Sequence, residues 1–258
     1  MSATPVAPRV RFPIVCVYAV RSEPDWLVAD MRANLPWVHA FLELDNRAAT
    51  GGWQHEGELR RRQIRMVRDW LKGYAVNATG CWVLQLDPDE RLEDRAADII
   101  PATLAGLERG EHSGALHRVT LSFPLREMWT PAAYRVDGEW AKKKPRVRLF
   151  WYSPTALQAF RFHRPIHVGL MPRLAAGESI RVRTEINLYH LKSIEPMNRV
   201  RRAAAYLDAD PNFDHQRREG RDWTWLYDES GLQLEAIPDG RGFSPPYLAG
   251  SYDFIAPH

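Results

Sequence analysis

Residues 81–93 read Cys-Trp-Val-Leu-Gln-Leu-Asp-Pro-Asp-Glu-Arg-Leu-Glu, an apolar run that stops at three carboxylates, Asp87, Asp89 and Glu90. Asp87 and Asp89 are two positions apart, so in an extended segment their side chains face the same way. Pro88 favours that extended shape for its predecessor and cannot continue a strand ladder. Two carboxylates on one face of a strand tip, with Glu90 beside them, are hard oxygen donors suited to Mg²⁺ or Mn²⁺. Such a site leaves coordination positions open for a diphosphate, whose charge the metal would neutralise as the diphosphate leaves. A dication would also offset the cost of crowding like charges at the end of a buried strand. The plainer alternative is an acidic turn that caps the next helix.

The elements that must position these acids follow from periodicity. The segment 9–20, rich in Val and Ile, barely alternates and predicts a strand covered on both faces. Ser22, followed three residues later by Asp25, has the spacing of a capping box, and Pro24 suits a first helical turn. A helix is therefore expected from about 23 to 35, then a second strand over 37–44, ending at Asp45-Asn46 and a Gly51-Gly52 turn. Over 58–75, Leu59, Ile64, Met66, Val67, Trp70, Leu71 and Tyr74 fall on one arc of a helical wheel. Arg61, Arg65, Arg68 and Lys72 fall on the opposite arc and read as a solvated face. Arg60 sits inside the apolar arc, where its head either snorkels to water or points into a site. After a break at 77–80 the third strand is 81–86. Strand, helix, strand, helix, strand predicts a parallel sheet with right-handed crossovers. Ligands bind such sheets outside the carboxyl ends of the strands. Those ends carry Ser22-Glu23, Asp45-Asn46 and the Asp87-Asp89-Glu90 cluster.

Further on, a helix is expected near 94–108, strands over 113–123, 145–152 and 179–190, and a helix over 193–207 capped by Ser193. Between 126 and 144 lies a polar, aromatic stretch read as a loop. The chain has 258 residues, 45% apolar and 26% charged, the balance of an ordinary globular protein. One domain over 9–258 is expected, in two halves (9–110 and 111–258), after a loose tail over 1–8. No apolar run approaches the ~20 residues of a membrane span, and the start lacks the pattern of a secretory signal. The two cysteines, Cys16 and Cys81, each lie in a strand-like run, so a disulfide framework is not expected and a cytoplasmic location is. A formal net charge of +3 says little about partners.

The same residues resemble family 2 glycosyltransferases with the type-A, nucleotide-sugar fold, in particular the short bacterial members that build envelope glycans. The opening strand leads to "VRSEPDWL", similar to the family's Arg/Asn-Glu pair. The second ends in "LELDN", and the third reads "WVLQLDPDERL", the longest and most specific match. "KPRVRLFWY" is similar to the family's Arg-Leu-Phe strand, "FHRPIHVGL" to its Val-His-Glu, and "INLYHLKSIEPMNRVRRAAAYLDADP" to its His-Lys stretch and following helix. Together these cover about residues 10–211.

The resemblance implies a Rossmann-like, mostly parallel sheet flanked by helices, with an irregular C-terminal half. It implies that Glu23 and Asp45 hold the nucleoside, and that Asp87 and Asp89 bind the sugar nucleotide (a UDP-sugar or similar) through Mn²⁺ or Mg²⁺. His190 becomes a further metal or phosphate ligand, with Lys192 and Arg60 beside the donor. Two departures stand out. The loop after the second strand, "DNRAATGGW", lacks the family's additional Asp, and the Val-His-Glu position reads His167-Val168. Asp137, Glu139 and His167 are the candidates for the missing base that takes the acceptor proton. Trp129, Tyr134 and Trp140 either contact substrates or pack in the core. The acceptor is a glycan, a lipid-linked glycan, a protein or modified nucleic acid, with any membrane contact peripheral. The rival from another class is a non-catalytic glycan- or nucleotide-binding protein on a degenerate transferase fold.

Overall fold

The computed structural model describes residues 10–47, 56–74, 79–110, 113–141, 145–154, 160, 162, 169–172, 178–211 and 223–248. The expected tail over 1–8, the Gly51-Gly52 turn and His167 lie outside them.

β1 (Ile14–Val20) is buried at every position, as its unbroken apolar run requires. Its alternate residues serve two cores. Ile14, Cys16 and Tyr18 face Trp82, Leu84, Ile100 and Leu104, whereas Val15 and Val17 face Ile64, Val67, Leu71 and Val83. Each such fully buried aliphatic side chain contributes roughly 2 kcal/mol relative to exposure. α1 (Asp25–Ala33) links β1 to β2 (Ala40–Asp45), and α2 (Glu56–Tyr74) precedes β3 (Cys81–Gln85). β2 and β3 flank β1, both parallel to it. The cap of α1 differs from the expectation. Pro24 occupies the N-cap position with no side-chain hydrogen bond, and the backbone N–H groups of Arg21 and Ser22 donate instead to Glu23 (2.7 and 3.1 Å).

After β3 the chain leaves this sheet. Asp87 accepts the backbone N–H of Glu90 (2.9 Å) across the Pro88 turn, and the chain re-enters regular structure as β4 (Glu90–Leu92). α3 (Ala96–Arg109) follows. Residues 113–118, expected as strand, form a 3-10 turn, so β5 is the shorter Val119–Phe123. The stretch read as a loop holds β6 (Leu125–Thr130), β7 (Ala133–Arg135) and the short α4 (Gly138–Ala141). β8 (Arg146–Tyr152) is where it is expected. The single strand expected over 179–190 is two, β9 (Ile180–Arg183) and β10 (Leu188–His190). The break has a cause, because the Asn187 N–H is taken by buried Glu93 (3.1 Å). α5 (Pro196–Ala209) starts after Glu195, which takes the N-cap position without a side-chain hydrogen bond, rather than at Ser193, and β11 (Leu234–Ala236) ends the described strands.

The strands form two sheets. The larger has the order β2-β1-β3-β8-β5-β9 and the smaller β11-β7-β6-β10-β4. The fold is α/β, but the large sheet is mixed where a mostly parallel one is expected. β8 runs antiparallel to both β3 and β5, and between β3 and β8 the chain contributes β4, β6 and β7 to the smaller sheet and β5 to the larger. The acids therefore lie at the seam between the sheets. Among the described residues no helix is long and apolar enough to cross a membrane. Cys16 and Cys81 are both buried and free, in line with the absence of a disulfide framework.

Candidate functional site

β3 delivers Asp87 and Asp89 from the large sheet, and β4 draws Glu90 into the small one. The three acids end in different environments. Asp87 keeps 37% of its side chain exposed, with Arg148 Nη2 at 3.5 Å and Arg60 Nη2 at 3.9 Å. Glu90 is buried, pairs closely with Arg148 and accepts the Asp87 N–H (3.0 Å). Asp89 is 2% exposed. His190 Nε2 faces its Oδ2 at 3.3 Å and Lys192 Nζ at 3.9 Å. That oxygen is buried and accepts no hydrogen bond among the described residues. The chain's own cations thus supply part of the compensation that the sequence assigns to a dication.

Charge states follow from this arrangement. Burial alone would raise the Asp87 carboxyl, but Arg148 and Arg60 outweigh it and hold it below the usual range. Burial would likewise raise Asp89, and His190 and Lys192 hold it far below. Glu90 goes the other way. Its burial dominates, assisted by Asp87, and Arg148 only partly opposes the rise. Burial would lower His190, yet Glu127 and Asp89 push it up to about 9, so its ring is an imidazolium at neutral pH.

His190 is held from β10 by two neighbouring strands. It is in register with Glu90 of β4 on one side and Glu127 of β6 on the other. Glu127, also buried, accepts from His190 Nδ1 (3.0 Å), Ser193 Oγ (2.8 Å) and Arg202 Nη1 (2.6 Å). The backbone anchors the same loop to the acids, because the Leu191 N–H donates to the Asp89 carbonyl (2.8 Å).

The other strand ends contribute as follows. Glu23 is buried after β1 and accepts two backbone N–H groups. Asp45, in register with Val20 at the same edge, is exposed and accepts the Arg47 N–H (3.0 Å). Arg60 does point inward. It is buried, bonds Glu56 and Gln63 (both 2.9 Å) and approaches Asp87. Glu56 also pairs with Arg21 at the end of β1 (3.4 Å), tying α2 to that strand end. The opposite arc of α2 is exposed at Arg61, Arg65 and Lys72, as its polarity requires.

Among the base candidates, the side chain of Asp137 alone falls within the described residues, and it is placed less favourably. Asp137 is gripped by Arg135 (2.8 and 3.0 Å from Nε, 2.8 Å from Nη2) and accepts the Gln233 N–H. The Arg135 hydrogen bonds, with that backbone donor, hold it below the usual carboxylate range against a weaker opposing effect of burial, which makes it a weak base. Glu139 falls in α4 with its side chain outside the described residues, as is the whole of His167. Trp129, Tyr134 and Trp140 are buried. Trp129 packs edge-on to Trp140 and lies under the Arg199 guanidinium, 3.8 Å from its ring centre. Packing is therefore what their placement serves.

Glu127, Arg148 and Arg202 are the site residues that sequence reasoning passes over. Arg148 had a signal, as the polar residue of "RVRLFWY" nearest the apolar core. Arg202 had none apart from its tertiary partners, since the basic residues of "NRVRRAAA" read as a stripe suited to nucleic-acid phosphates.

Whether these residues fit a divalent ion is decided by two observations. Among the described residues no three His, Cys, Asp or Glu side chains converge as a metal cage. Mg²⁺ and Mn²⁺, however, are commonly held by one or two carboxylates with phosphate oxygens and waters completing the shell. Asp87 and Asp89 form such a pair, and the unsatisfied, buried Asp89 oxygen is an acceptor that a cation would satisfy. The two carboxylates fit such an ion, whereas His190, held between Asp89 and Glu127 as an imidazolium, would have to give up its Nε2 proton to join them.

No protein-family model matches this chain, and no curated protein matches it.

Proposed function

We propose that the chain is a metal-dependent glycosyltransferase with a type-A nucleotide-sugar fold. It transfers a sugar from a nucleoside-diphosphate donor to an acceptor hydroxyl. The observation that carries the reading is the buried, hydrogen-bond-poor Asp89 carboxylate beside half-exposed Asp87, at the carboxyl end of a central parallel strand. The Asp-x-Asp spacing within "WVLQLDPDERL" and the crevice position expected for ligands of α/β sheets support it.

Asp87 and Asp89 would hold a Mn²⁺ or Mg²⁺ ion, with His190 joining them once its Nε2 proton is displaced; the ion when bound supplies positive charge to a departing diphosphate. Arg60, Arg148 and Lys192 surround the same acids and would meet the remaining phosphate charge, Arg148 and Arg60 from the Asp87 side and Lys192 from the Asp89 side. Glu23 and Asp45, at the ends of β1 and β2, would hold the nucleoside. In the transfer, the acceptor oxygen bonds the anomeric carbon as the carbon–oxygen bond to the diphosphate breaks. The hydroxyl proton passes to a base, and the lowered carboxyl of Asp137 counts against it in that role.

Acceptors of four kinds suit this chemistry: a glycan, a lipid-linked glycan, a protein or modified nucleic acid. The Arg stripes at 61–72 and 199–202 would suit the phosphates of a nucleic acid, but Arg199 is buried and Arg202 nearly so. Peripheral membrane contact and a cytoplasmic location belong to the same proposal. A non-catalytic glycan- or nucleotide-binding role is the second reading. The ion pairs of Arg60 and Arg148 with Asp87 favour it, since they neutralise the tip without a dication.

A thermal-shift screen of nucleotide sugars with and without Mn²⁺ separates the two. For the enzyme, a donor at a hundred times its Kd should add about 2.7 kcal/mol, a rise of roughly 5–10 °C for a chain of this size, and only with the metal. A glycan-binding module should ignore both, and that result would remove the transferase reading.

A further inference from the structure

We propose that Glu127 is a positioning residue of this site, fixing the His190 imidazole so that its Nε2 faces Asp89. The inference rests on the reading of Asp89 and His190 as a metal-holding pair, and it extends that reading to the layer behind them.

Three observations converge. First, the small sheet puts Glu127, His190 and Glu90 side by side on three adjacent strands. In-register residues on neighbouring strands project from the same face, so the imidazole is flanked by two acids. One of them, Glu90, is occupied by Arg148. The other, Glu127, takes the imidazole Nδ1 at 3.0 Å.

Second, Glu127 is itself immobilised. It is 1% exposed, and Oε1 accepts from Ser193 Oγ (2.8 Å) and Arg202 Nη1 (2.6 Å) as well as from His190. Ser193 comes from the turn just after β10, and Arg202 from the second turn of α5. A single carboxylate oxygen therefore ties together the strand that carries His190, the turn after it and the helix beyond. A counter-ion for Arg202 alone would not need the imidazole in register or the serine hydroxyl on the same oxygen.

Third, the other ring nitrogen has one direction left. With Nδ1 held, Nε2 lies 3.3 Å from Asp89 Oδ2, the buried oxygen that accepts no hydrogen bond among the described residues. A histidine whose second nitrogen donates to a carboxylate is fixed in ring orientation and becomes a better ligand, and loss of such a partner commonly costs 10–100-fold in metal affinity.

The test uses the full chain and two variants. Glu127→Gln removes the charge at constant size. Glu127→Asp keeps the charge and the Arg202 partner but withdraws the oxygen by one methylene, and it serves if the first variant does not fold. The first readout is the nitrogen-bound ring proton of His190, followed by ¹⁵N NMR on metal-free protein. It requires neither donor nor turnover. A protected Nδ1–H signal in the wild type, lost or strongly shifted in the variants, supports the proposal. A ring signal unchanged by either substitution overturns it.

The second readout is Mn²⁺ affinity by titration. A 10–100-fold weakening supports the proposal, and an unchanged affinity overturns it. Wild-type protein that binds no Mn²⁺ would remove the metal reading separately. The ring proton would then still decide whether Glu127 sets the imidazole, in the same two directions.

Discussion

Replacing Arg148 with methionine tests why the chain can end a core strand in acids. Arg148 lies against Glu90 and is 3.5 Å from Asp87. It is the main influence holding both carboxyls down against their burial. Methionine keeps the apolar stem and removes the charge, leaving buried Glu90 without its cation. Breaking one side of a buried ion pair costs about 3–5 kcal/mol, which for this length is a fall in Tm of roughly 6–20 °C. The pH dependence has a definite sign. The folded-state value of Glu90 is already raised and rises further without Arg148, so the native state binds more protons than the unfolded one above pH ~4.5. Stability then falls as pH increases, and the deficit is largest at neutral pH and shrinks toward pH 5. Urea denaturation at pH 5, 6 and 7 measures it. Adding Glu90→Gln to Arg148→Met should recover most of the loss, because removing both charges is far cheaper than stranding one. A Tm within about 2 °C of wild type at pH 7, or a deficit independent of pH, would refute the reasoning.

The imidazolium of His190 sets a second pH window. Its folded-state value is raised from 6.5 to about 9 by Glu127 and Asp89 against the opposing effect of burial. The stability it contributes is therefore complete below pH ~6.5 and lost as pH climbs through 9. That amounts to about 3 kcal/mol, and His190→Gln should flatten the alkaline limb of a urea-denaturation profile. At the start of β3, a Cβ on Gly80 would overlap the Trp151 ring and the Tyr152 carbonyl oxygen. Gly80→Ala should thus cost about 1–3 kcal/mol, read by chemical denaturation, and a neutral result would mean that β8 can shift away from β3.

What sequence can reveal here divides by the range of the contacts. β1, α1, β2, α2 and β3 were legible because their periodicity is local and their ends are marked by Pro, Asp and Gly. Arg60 was legible for the same reason, as a charge in the wrong arc of a helical wheel. Glu127 was not. It lies on a strand whose partner, β10, is some sixty residues away, and β10 has only three residues, too few to show alternation. With β6 unread and β10 merged into one expected strand over 179–190, 126–144 read as a loop and its aromatics as substrate contacts or core packing. Arg199 and Arg202 misled because positive charge on a helix is normally solvated. Here Trp129 and Glu127 accept them inside, and neither partner is near them in sequence. The split between β9 and β10 depended on Glu93 capturing Asn187, again a distant pair. Asp87 and Asp89 were found because the motif is contiguous. The resemblance placed His190 and Lys192 at the site as metal or phosphate ligands, but their pairing with Asp89, and that of Arg148 with Asp87, had to be supplied by the fold.

The central claim is that a dication joins Asp87 and Asp89 to the diphosphate of an activated sugar. Its most direct test is calorimetric titration of nucleoside diphosphates (UDP first, then ADP, GDP and CDP) into wild-type and Asp89→Asn protein, with and without Mn²⁺. The account predicts that one nucleotide binds wild-type protein only when Mn²⁺ is present and that the substitution abolishes this dependence. Binding that is indifferent to Mn²⁺, or equally metal-dependent in Asp89→Asn, would contradict it.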